Sequence, residues 1–366
     1  MLSIIKLMTY LLRVNLDIEE KHPEKLLRFH KAAETIKKLN KGGNKVVILS
    51  HIGRPKGFES RLSLKRFVLP LSRTLGKKVV FLPLGDFNKI KGVINKYPRG
   101  GIFLLENLRI ESGGTVNSAK FAKNLASLGD KYVNDDFATS HRKNASNVGI
   151  LRFLPGKAGP NLSHEVKRLQ SVLRSTKKPF VLIIGGIKMS DKIAVIKNLL
   201  PRADYVLLGG GPANTFLEAK GEKVGKSLFD KEMISEVKKF LNNKKIFIPV
   251  DSKKSNGRIL DIGPITSRRY SQIINKARTV IWGGPVGFFE DTNFAQGTKT
   301  IWQAILKNKR AKVVVGGGET VASLKLVNKN YNVENGIFLS TGGGAMLEFL
   351  AGKKLPALTA LNLQKK

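Results

Sequence analysis

Two glycine-rich stretches near the C-terminal end combine residue types that suit phosphate binding. One runs from apolar residues 313–315 into glycines 316–318, and the other from apolar residues 337–339 into glycines 342–344. In each stretch we predict a buried strand, then a tight loop of glycines, and then the first turn of a helix. Helix starts offer free N–H groups and partial positive charge, and glycine lets the backbone approach an anion closely. One such loop is more often a plain turn, but two in succession favour a phosphate site.

Arginine and histidine residues follow several apolar runs in the first half of the chain. Arginine forks suit carboxylate and phosphate oxygens, and parallel strands gather the residues that follow them at one edge of the sheet. Each arginine taken singly is more often a surface residue, so the recurrence carries the prediction. The residues that follow these strands, or lie on the first helix, and that we predict to hold a small anionic substrate are Asn15, Asp17, Arg28, His51, Arg54, Arg109, His141 and Arg142.

A glycine pair and two lysines follow the apolar run 180–184. Lys188 and Lys192 are one helical turn apart, which predicts that both ammonium groups share one helix face. Beside phosphates they would act as point charges, and otherwise they are solvated lysines. The stretch lacks the spacing of an ordinary P-loop.

Apolar runs alternate with helix-like stretches along the whole chain, which predicts parallel α/β sheets. Predicted helices cover residues 23–39, 64–75, 118–128 and 163–173. A strand and the loop after it are predicted for residues 10–18. The other predicted strands cover residues 45–49, 78–82, 102–105, 131–133, 180–184, 205–208, 245–250, 279–282, 313–315 and 337–339. The fold class is α/β, with two doubly wound parallel-sheet lobes.

A break in this rhythm at residues 151–160 predicts a domain connection, since two Pro-Gly pairs mark turns there. Ser163 is the predicted N-cap of the helix that follows, which we expect to act as a hinge. The predicted lobes are residues 1–160 for the anionic substrate and residues 161–350 for a nucleotide.

The composition is that of a globular chain with an unusual charge. The 366 residues include 65 Lys and Arg against 27 Asp and Glu, a formal net charge of +38. Such a field attracts polyanions. The lysines are spread along the chain and not interleaved with aromatics, so we predict no specific nucleic-acid partner. No apolar run is long enough for a membrane span, and the absence of cysteine is compatible with the cytoplasmic location that we predict.

Several motifs resemble those of the phosphoglycerate kinase family, in the family's order and along nearly the whole chain. The matching stretches are residues 13–17, 50–55, 105–109, 133–142, 185–192, 282–290, 316–320 and 340–345. The resemblance implies reversible phosphoryl transfer between 1,3-bisphosphoglycerate and ADP, giving 3-phosphoglycerate and ATP, with Mg²⁺. It also implies a glycolytic monomer whose two lobes close about a hinge and whose tail, residues 351–366, packs on the first lobe.

The resemblance assigns roles to individual residues of this chain. The glycerate phosphate and carboxyl would be held by the substrate residues named above. Nucleotide and metal would be held by Lys192, Gly209, Gly210, Gly263, Glu290, Gly317, Gly318, Glu319 and Thr320, with Glu319 the metal ligand. The catalytic residues would be Arg28, Lys188, Lys192 and Gly343.

Several departures from the family pattern fall within these motifs. Asn15 and Asp17 stand where the family usually has Asp and then Asn, and Glu319 stands where it has Asp. Gly283 replaces an asparagine. Asp136, Ala138 and Ser140 replace smaller or different residues of the family.

Two other classes of function remain open from the sequence. A catalytically impaired kinase fold could serve as a basic nucleic-acid-binding protein. A dinucleotide-dependent oxidoreductase also uses glycine-rich turns, but no G-x-G-x-x-G followed by an acidic residue about 20 positions on is present.

Overall fold

The computed structural model describes residues 7–328 and 336–364, which form two compact units. Unit 1 comprises the chain up to Val166 together with the residues from Lys354 on, and unit 2 comprises Lys167–Lys353. Each unit is built on a parallel sheet, so the predicted fold class is confirmed. No helix in the described ranges is long and apolar enough to cross a membrane.

Unit 1 contains six parallel strands in its described part, in the spatial order β3-β4-β2-β1-β5-β6. The strands are β1 (Thr9–Arg13), β2 (Lys45–Leu49), β3 (Val79–Leu82), β4 (Ile102–Leu105), β5 (Lys131–Asn134) and β6 (Gly156–Ala158). The helices are α1 (Leu27–Leu39), α2 (Val68–Leu75), α3 (Phe87–Lys96), α4 (Ser112–Thr115), α5 (Ala119–Ala126) and α6 (Pro160–Arg174), the last of which contains the boundary between the units.

Alternation along the strands gives this sheet an apolar core on each face. Leu11 lies in the cluster that α3 and α5 cover, whereas the next residue, Leu12, lies in the cluster that α1 and α2 cover. Such two-sided burial is typical of parallel strands and explains their continuous apolar runs.

Unit 2 has the strand order β14-β13-β12-β7-β8-β9, again parallel, with a separate antiparallel pair β10-β11. The strands are β7 (Phe180–Ile184), β8 (Tyr205–Leu208), β9 (Ile246–Phe247), β10 (Ser252–Ser255), β11 (Arg258–Ile262), β12 (Thr279–Gly283), β13 (Lys312–Gly316) and β14 (Ile337–Ser340). The helices are α7 (Ile193–Leu199), α8 (Gly210–Lys220), α9 (Ile234–Lys238), α10 (Pro264–Lys276), α11 (Gln296–Lys307), α12 (Gly318–Ala322) and α13 (Gly344–Leu350). After unit 2 the chain forms α14 (Pro356–Ala360) in unit 1.

The stretch 151–160, where the sequence predicts a domain connection, contains β6 of the first sheet, and the predicted N-cap Ser163 is wrong. The sheet continues through β6, and α6 begins at Pro160 with Ser163 already inside the helix, where its N–H donates to Gly159 O. The cap comes from the distant Asp135, whose Oδ1 accepts hydrogen bonds from the Asn161 N–H at 2.7 Å and the Leu162 N–H at 3.1 Å. A helix start held by a residue on another element leaves no local sequence signal.

Other elements differ in extent from their predictions. The first helix starts at Leu27 after a separate 3₁₀ turn at Pro23–Lys25, and the strand predicted for residues 245–250 shortens to β9. Helix α3 and the β10-β11 pair were not predicted. A carboxylate cap begins α3, where Asp86 Oδ1 accepts from the Asn88 N–H at 2.8 Å.

Candidate functional site

Unit 1 brings charged residues together at the carboxyl edge of its sheet. Asp17 links three of the loops there: its Oδ1 accepts from the Gly53 N–H at 2.8 Å, its Oδ2 lies 3.5 Å from His51 Nε2, and its carbonyl accepts from Arg28 Nη1 at 2.7 Å. Arg109 Nη1 donates to Gly53 O at 2.6 Å. Four of the predicted substrate residues, or loops beside them, therefore meet in one hydrogen-bonded group.

Asn15 orders this group from within the first loop. Its Oδ1 accepts from the Asp17 N–H at 3.0 Å, and its amide donates to Asp136 Oδ1 at 3.2 Å. The structure thus shows both residues of the exchanged Asn–Asp pair holding neighbouring loops.

A buried ion pair that the sequence analysis did not assign to the site lies beneath these residues. Arg13 Nη1 is 3.2 Å from Asp136 Oδ2, with both side chains almost fully buried. Arg13 Nη2 also donates to His51 Nδ1 at 2.8 Å. The only sequence signal was an arginine within an otherwise apolar strand, because the partners lie on β1, after β2 and after β5.

Arg13 sets the state of His51. A guanidinium can only donate, so Nδ1 of His51 accepts, and the proton of the neutral ring lies on Nε2, facing Asp17. Burial lowers the pKa of His51 to about 4; the hydrogen bond that its Nε2 donates to the Asp17 carboxylate acts to raise the pKa, and the Arg13 and Arg109 cations lower it further. His51 is therefore a neutral donor near pH 7.

We expect the imidazole of His51 to titrate near pH 4 rather than in the ordinary range of a histidine. Arg109→Met removes one of the cations that lower its pKa, so the pKa of His51 should rise in this variant. Asp17→Asn removes the anion that raises it and should move the titration the opposite way. The ring C–H chemical shifts followed by NMR over an acid titration measure both changes, and a His51 that titrates identically in all three proteins would contradict the described contacts.

The cations of this edge repel one another. Burial lowers the pKa of Arg109 to about 10, with the nearby Arg13 and Arg142 cations adding to the effect. Asp17 opposes it. Crowded guanidiniums of this kind are relieved by a bound anion, which favours a phosphate or carboxylate ligand.

The remaining predicted substrate residues lie around this group. Arg54 is exposed in the loop after β2, and His141 and Arg142 are half-buried after β5. The C-terminal segment steadies the latter loop, since the Ala357 N–H at the start of α14 donates to Ser140 O at 3.1 Å.

Unit 2 interlocks its glycine loops through backbone hydrogen bonds. The Gly185 N–H donates to Gly283 O at 3.0 Å, the Gly211 N–H to Gly186 O at 2.8 Å, and the Gly284 N–H to Thr320 Oγ1 at 2.8 Å. Four neighbouring strand ends thereby form one continuous surface. Thr320 is buried and holds this surface with its hydroxyl.

A cavity of about 480 Å³ opens at the carboxyl edge of β7, β12 and β13. It is lined by the ends of β12 and β13, by the loops after the three strands and by residues of α12 and α13, namely Gly186, Ile187, Lys188, Asp191, Lys192, Gly283, Gly284, Gly316, Gly317, Gly318, Glu319, Thr320 and Leu347. Both lysines, the glycine triplet and Glu319 therefore share one cavity, as phosphate binding requires.

Lys188 and Lys192 do not share a helix face, which corrects the sequence prediction. Both lie in the loop before α7, because the chain reaches helical geometry only at Ile193. Lys188 is exposed, whereas Lys192 is half-buried, and its burial lowers the pKa of its ammonium against the raising effects of Asp191 and Glu319. A phosphate bound in the cavity would stabilise the charged form of this desolvated ammonium.

The two glycine triplets of the opening prediction follow neighbouring strands, since β13 pairs with β14. Gly317 has φ +99° and Gly343 has φ +50° with ψ −120°, conformations that a residue with a side chain rarely adopts. Each immediately precedes a helix. Backbone N–H groups of both turns therefore lie at the same edge of the sheet.

A second cavity, of about 280 Å³, adjoins the first through Gly186, Ile187 and Glu319. Its other lining residues are Gly210, Gly211, Asn214, Leu228, Arg258, Ile259, Leu260, Pro285, Gly287, Phe288 and Glu290. Ile187, Leu228 and Phe288 are each more than half exposed. Exposed apolar side chains around a cavity suit an apolar ring of a ligand. Sequence reasoning missed them because they come from separate segments.

Two predicted nucleotide residues, Gly209 and Gly263, line neither of these cavities. A side chain on Gly209 would clash with Val286, and one on Gly263 would clash with the Asp251 carboxylate. Asp251 caps α10 by accepting from the Ile265 and Thr266 N–H groups, both at 2.8 Å. The roles predicted for Gly209 and Gly263 in ligand binding stay predictions.

A cluster of arginines at the edge of one parallel sheet, and a cavity of glycines and lysines beside an apolar one on another, are typical of a phosphotransferase of the α/β class. Comparison with known families then identifies which one. The phosphoglycerate kinase family model matches residues 8–353. The chain belongs to the phosphoglycerate kinase family.

Individual relatives agree along almost their whole length. Phosphoglycerate kinase from Dictyoglomus turgidum is 38% identical over 91% of this chain and 90% of its own, and that from Orientia tsutsugamushi is 39% identical over 98% and 95%. Among solved structures, phosphoglycerate kinase from Coxiella burnetii matches with a TM-score of 0.80 and 35% identity over 98% of this chain and 97% of its own. The phosphoglycerate kinase structure from Pyrococcus horikoshii matches with a TM-score of 0.83 and 32% sequence identity, over 97% of this chain and 96% of its own.

Proposed function

We propose that the protein catalyses reversible transfer of a phosphoryl group between 1,3-bisphosphoglycerate and ADP, in glycolysis or gluconeogenesis. Phosphotransferase activity follows from membership of the family. Two observations carry the residue-level proposal. Arginines crowd together at the carboxyl edge of the unit 1 sheet, and glycines and lysines line a cavity at the carboxyl edge of the unit 2 sheet.

The glycerate substrate is proposed to bind at the carboxyl edge of the unit 1 sheet. Arg54, Arg109, Arg142 and His141 would hold its phosphate, with neutral His51 donating from Nε2. Asn15 and Asp17 would order the loops around it, as their hydrogen bonds to Asp136 and Gly53 indicate. Arginine supports this role because its planar fork can bind two oxygens at once.

The nucleotide is proposed to bind across the two cavities of unit 2. The apolar cavity suits the base, and Glu290 in its lining would accept from ribose hydroxyls. The phosphates would lie on Lys192 and on the N–H groups of Gly317 and Gly318. Gly209, Gly210 and Thr320 would keep the loops in place. The Gly209 and Gly210 N–H groups donate to Ile184 O and Val286 O, and the Thr320 hydroxyl accepts from the Gly284 N–H, which supports this role.

Transfer itself needs alignment and charge neutralisation more than covalent help from the protein. Arg28, Lys188, Lys192 and the turn at Gly343 are the groups that we propose to neutralise the phosphoryl oxygens. The acceptor carboxylate is already ionised at neutral pH, so no general base is required. The predictions that the lobes close about a hinge, that the tail packs on the first lobe, and that the enzyme is a cytoplasmic monomer remain part of this proposal.

Glu319 fits the part of a magnesium ligand in such a site. No group of three or more His, Cys, Asp or Glu side chains in the described ranges is placed to hold a metal without help. Mg²⁺ commonly binds through one or two carboxylates together with substrate phosphates and water, and Glu319 offers such a carboxylate in a cavity of about 480 Å³ that Asp191 also lines. The ion would supply positive charge to the nucleotide phosphates.

Glu319→Asp is expected to shift the magnesium dependence of turnover, because the carboxylate retracts by one methylene from the phosphate cavity. The half-saturating Mg²⁺ concentration should change about threefold or more, since Mg²⁺ tolerates little departure from its octahedral geometry. Glu290→Asp, which changes the other cavity in the same way, serves as the matched control and should leave the metal titration unchanged. An unchanged titration for Glu319→Asp would remove Glu319 from the proposed metal site.

A coupled assay tests the proposed function. Purified protein with 3-phosphoglycerate, ATP and Mg²⁺ should form 1,3-bisphosphoglycerate, followed through its reduction by an added dehydrogenase. Calorimetric titrations should show binding of ADP and ATP and none of NAD. Absence of turnover with a folded protein, or binding of NAD in preference to ADP, would overturn the proposal.

A further inference from the structure

Three segments meet at the amino ends of β2, β3 and β4 in unit 1, the edge opposite to the proposed substrate site. These segments, residues 36–46, 72–80 and 91–102, are called the basic patch below. Asn40 joins them: its amide donates to Gly100 O at 3.0 Å, and its Oδ1 accepts from Lys77 Nζ at 2.7 Å. The Gly100 N–H donates to Gly43 O at 2.9 Å. The patch is therefore one ordered surface.

The basic patch carries ten lysines and arginines and no aspartate or glutamate. They are Lys37, Lys38, Lys41, Lys45, Arg73, Lys77, Lys78, Lys91, Lys96 and Arg99. All but Lys45 are exposed. The strands β3, β4 and β2 are neighbours, and the two outer ones of the three lie about 10 Å apart. The charges at their amino ends therefore form a local positive field.

Helix ends explain only part of this charge. Cations stabilise helix C-termini, and α1, α2 and α3 all end at the patch. Lys45 Nζ does this for α3 by donating to the carbonyls of Ile94 at 2.6 Å and Asn95 at 3.0 Å. Exposed residues such as Lys78 and Arg99 follow the helices and precede strands, so the helix dipole does not require them.

We infer that the basic patch binds the phosphate backbone of nucleic acid without sequence preference, alongside the kinase activity, and single-stranded RNA is the probe used below. Phosphates need only cations, and the crowding of like charges on this surface is relieved by a polyanion. The one aromatic residue of these segments, Tyr97, is half-buried against Phe103 with ring centroids 5.2 Å apart. It offers no platform on which a base can stack, so binding rests on charge and leaves the substrate edge free.

Fluorescence anisotropy with a labelled RNA of about 20 nucleotides and mixed sequence tests this inference. The variant Lys38→Glu, Lys78→Glu, Arg99→Glu reverses one cation in each segment of the patch. The matched control, Lys120→Glu, Lys123→Glu, Lys157→Glu, makes the same change of charge at exposed positions on α5 and β6 of the same unit. The patch variant should bind at least about tenfold more weakly, and the control variant should lose less than about threefold.

Salt dependence gives a second readout. Each phosphate contact with a single strand contributes about 0.7 to the slope of log K against log salt, so the patch variant should lose about 2 from the slope. The charge-preserving variant Lys38→Arg, Lys78→Arg, Arg99→Lys should bind as the wild type does. Equal losses in the patch and control variants, or no RNA binding by the wild type at physiological salt, would overturn the inference. Kinase turnover, which should persist in all these variants, is measured alongside and reports separately on folding and on the proposed function.

Discussion

Replacing Arg28 with alanine is expected to lower kcat about a thousandfold, because an arginine that neutralises a phosphoryl group in transfer contributes on this scale. Arg28 is half-buried, and its Nη1 is held by the Asp17 carbonyl at 2.7 Å, so the guanidinium is oriented before substrate binds. The KM for 3-phosphoglycerate should rise much less than kcat falls, since the contact is made mainly in the transition state. Steady-state kinetics at saturating Mg²⁺ measure both.

Arg66 provides a matched control for this change. Its Nη2 also donates to loop carbonyls, those of Glu19 at 3.1 Å and Glu20 at 3.0 Å, but it is exposed and is not among the predicted site residues. Arg66→Ala should keep kcat within about twofold of the wild type, because the variant loses only an exposed contact. An Arg28→Ala enzyme with near-normal kcat and a raised KM would show that Arg28 only binds substrate.

Replacing Asp136 with alanine is expected to lower the free energy of unfolding by about 3–5 kcal/mol, because it leaves the buried Arg13 cation without its partner. Both side chains are almost fully shielded from solvent, and Asp136 also accepts hydrogen bonds from Asn15 and Thr139. Urea unfolding followed by circular dichroism measures the change. In the double variant Arg13→Met, Asp136→Leu, no buried charge is left unpaired, so most of the lost stability should return.

The stabilisation by Asp136 should also depend on pH. Burial acts to raise the pKa of Asp136, but the Arg13 cation and the hydrogen bonds outweigh it, so the pKa lies below its ordinary value. A carboxyl with a lowered pKa in the folded state stabilises the fold above its unfolded pKa of about 4 and loses that contribution as the pH falls. The difference in stability between wild type and Asp136→Ala should therefore shrink on acidification. A constant difference down to acid pH would contradict the ion pair.

Local sequence patterns were sufficient to predict most of the strands and the sheet edge at which the candidate site lies. Buried runs such as Phe180–Ile184 are typical of central parallel strands, and residues that follow such strands share an edge, which is why the sequence could predict that His51 and Arg109 lie near each other. The glycine triplet at residues 316–318 marked the cavity in the same way.

Long-range contacts account for what the sequence did not predict. The Asp135 cap of α6 and the Arg13–Asp136 pair join residues far apart in the chain, so neither leaves a periodic signal. The apolar cavity likewise collects side chains from several loops. The spacing of Lys188 and Lys192 suggested a shared helix face, but the loop continues to α7, and it is the cavity that brings them together.

A crystal structure with 3-phosphoglycerate, Mg²⁺ and a non-hydrolysable ATP analogue tests the central claim most directly. The account predicts the glycerate phosphate on His51, Arg109 and Arg142, and the nucleotide phosphates on Lys192 and the Gly316–Gly318 turn with Glu319 facing the metal. Nucleotide phosphates bound away from that turn, or a glycerate bound away from those three residues, would contradict it.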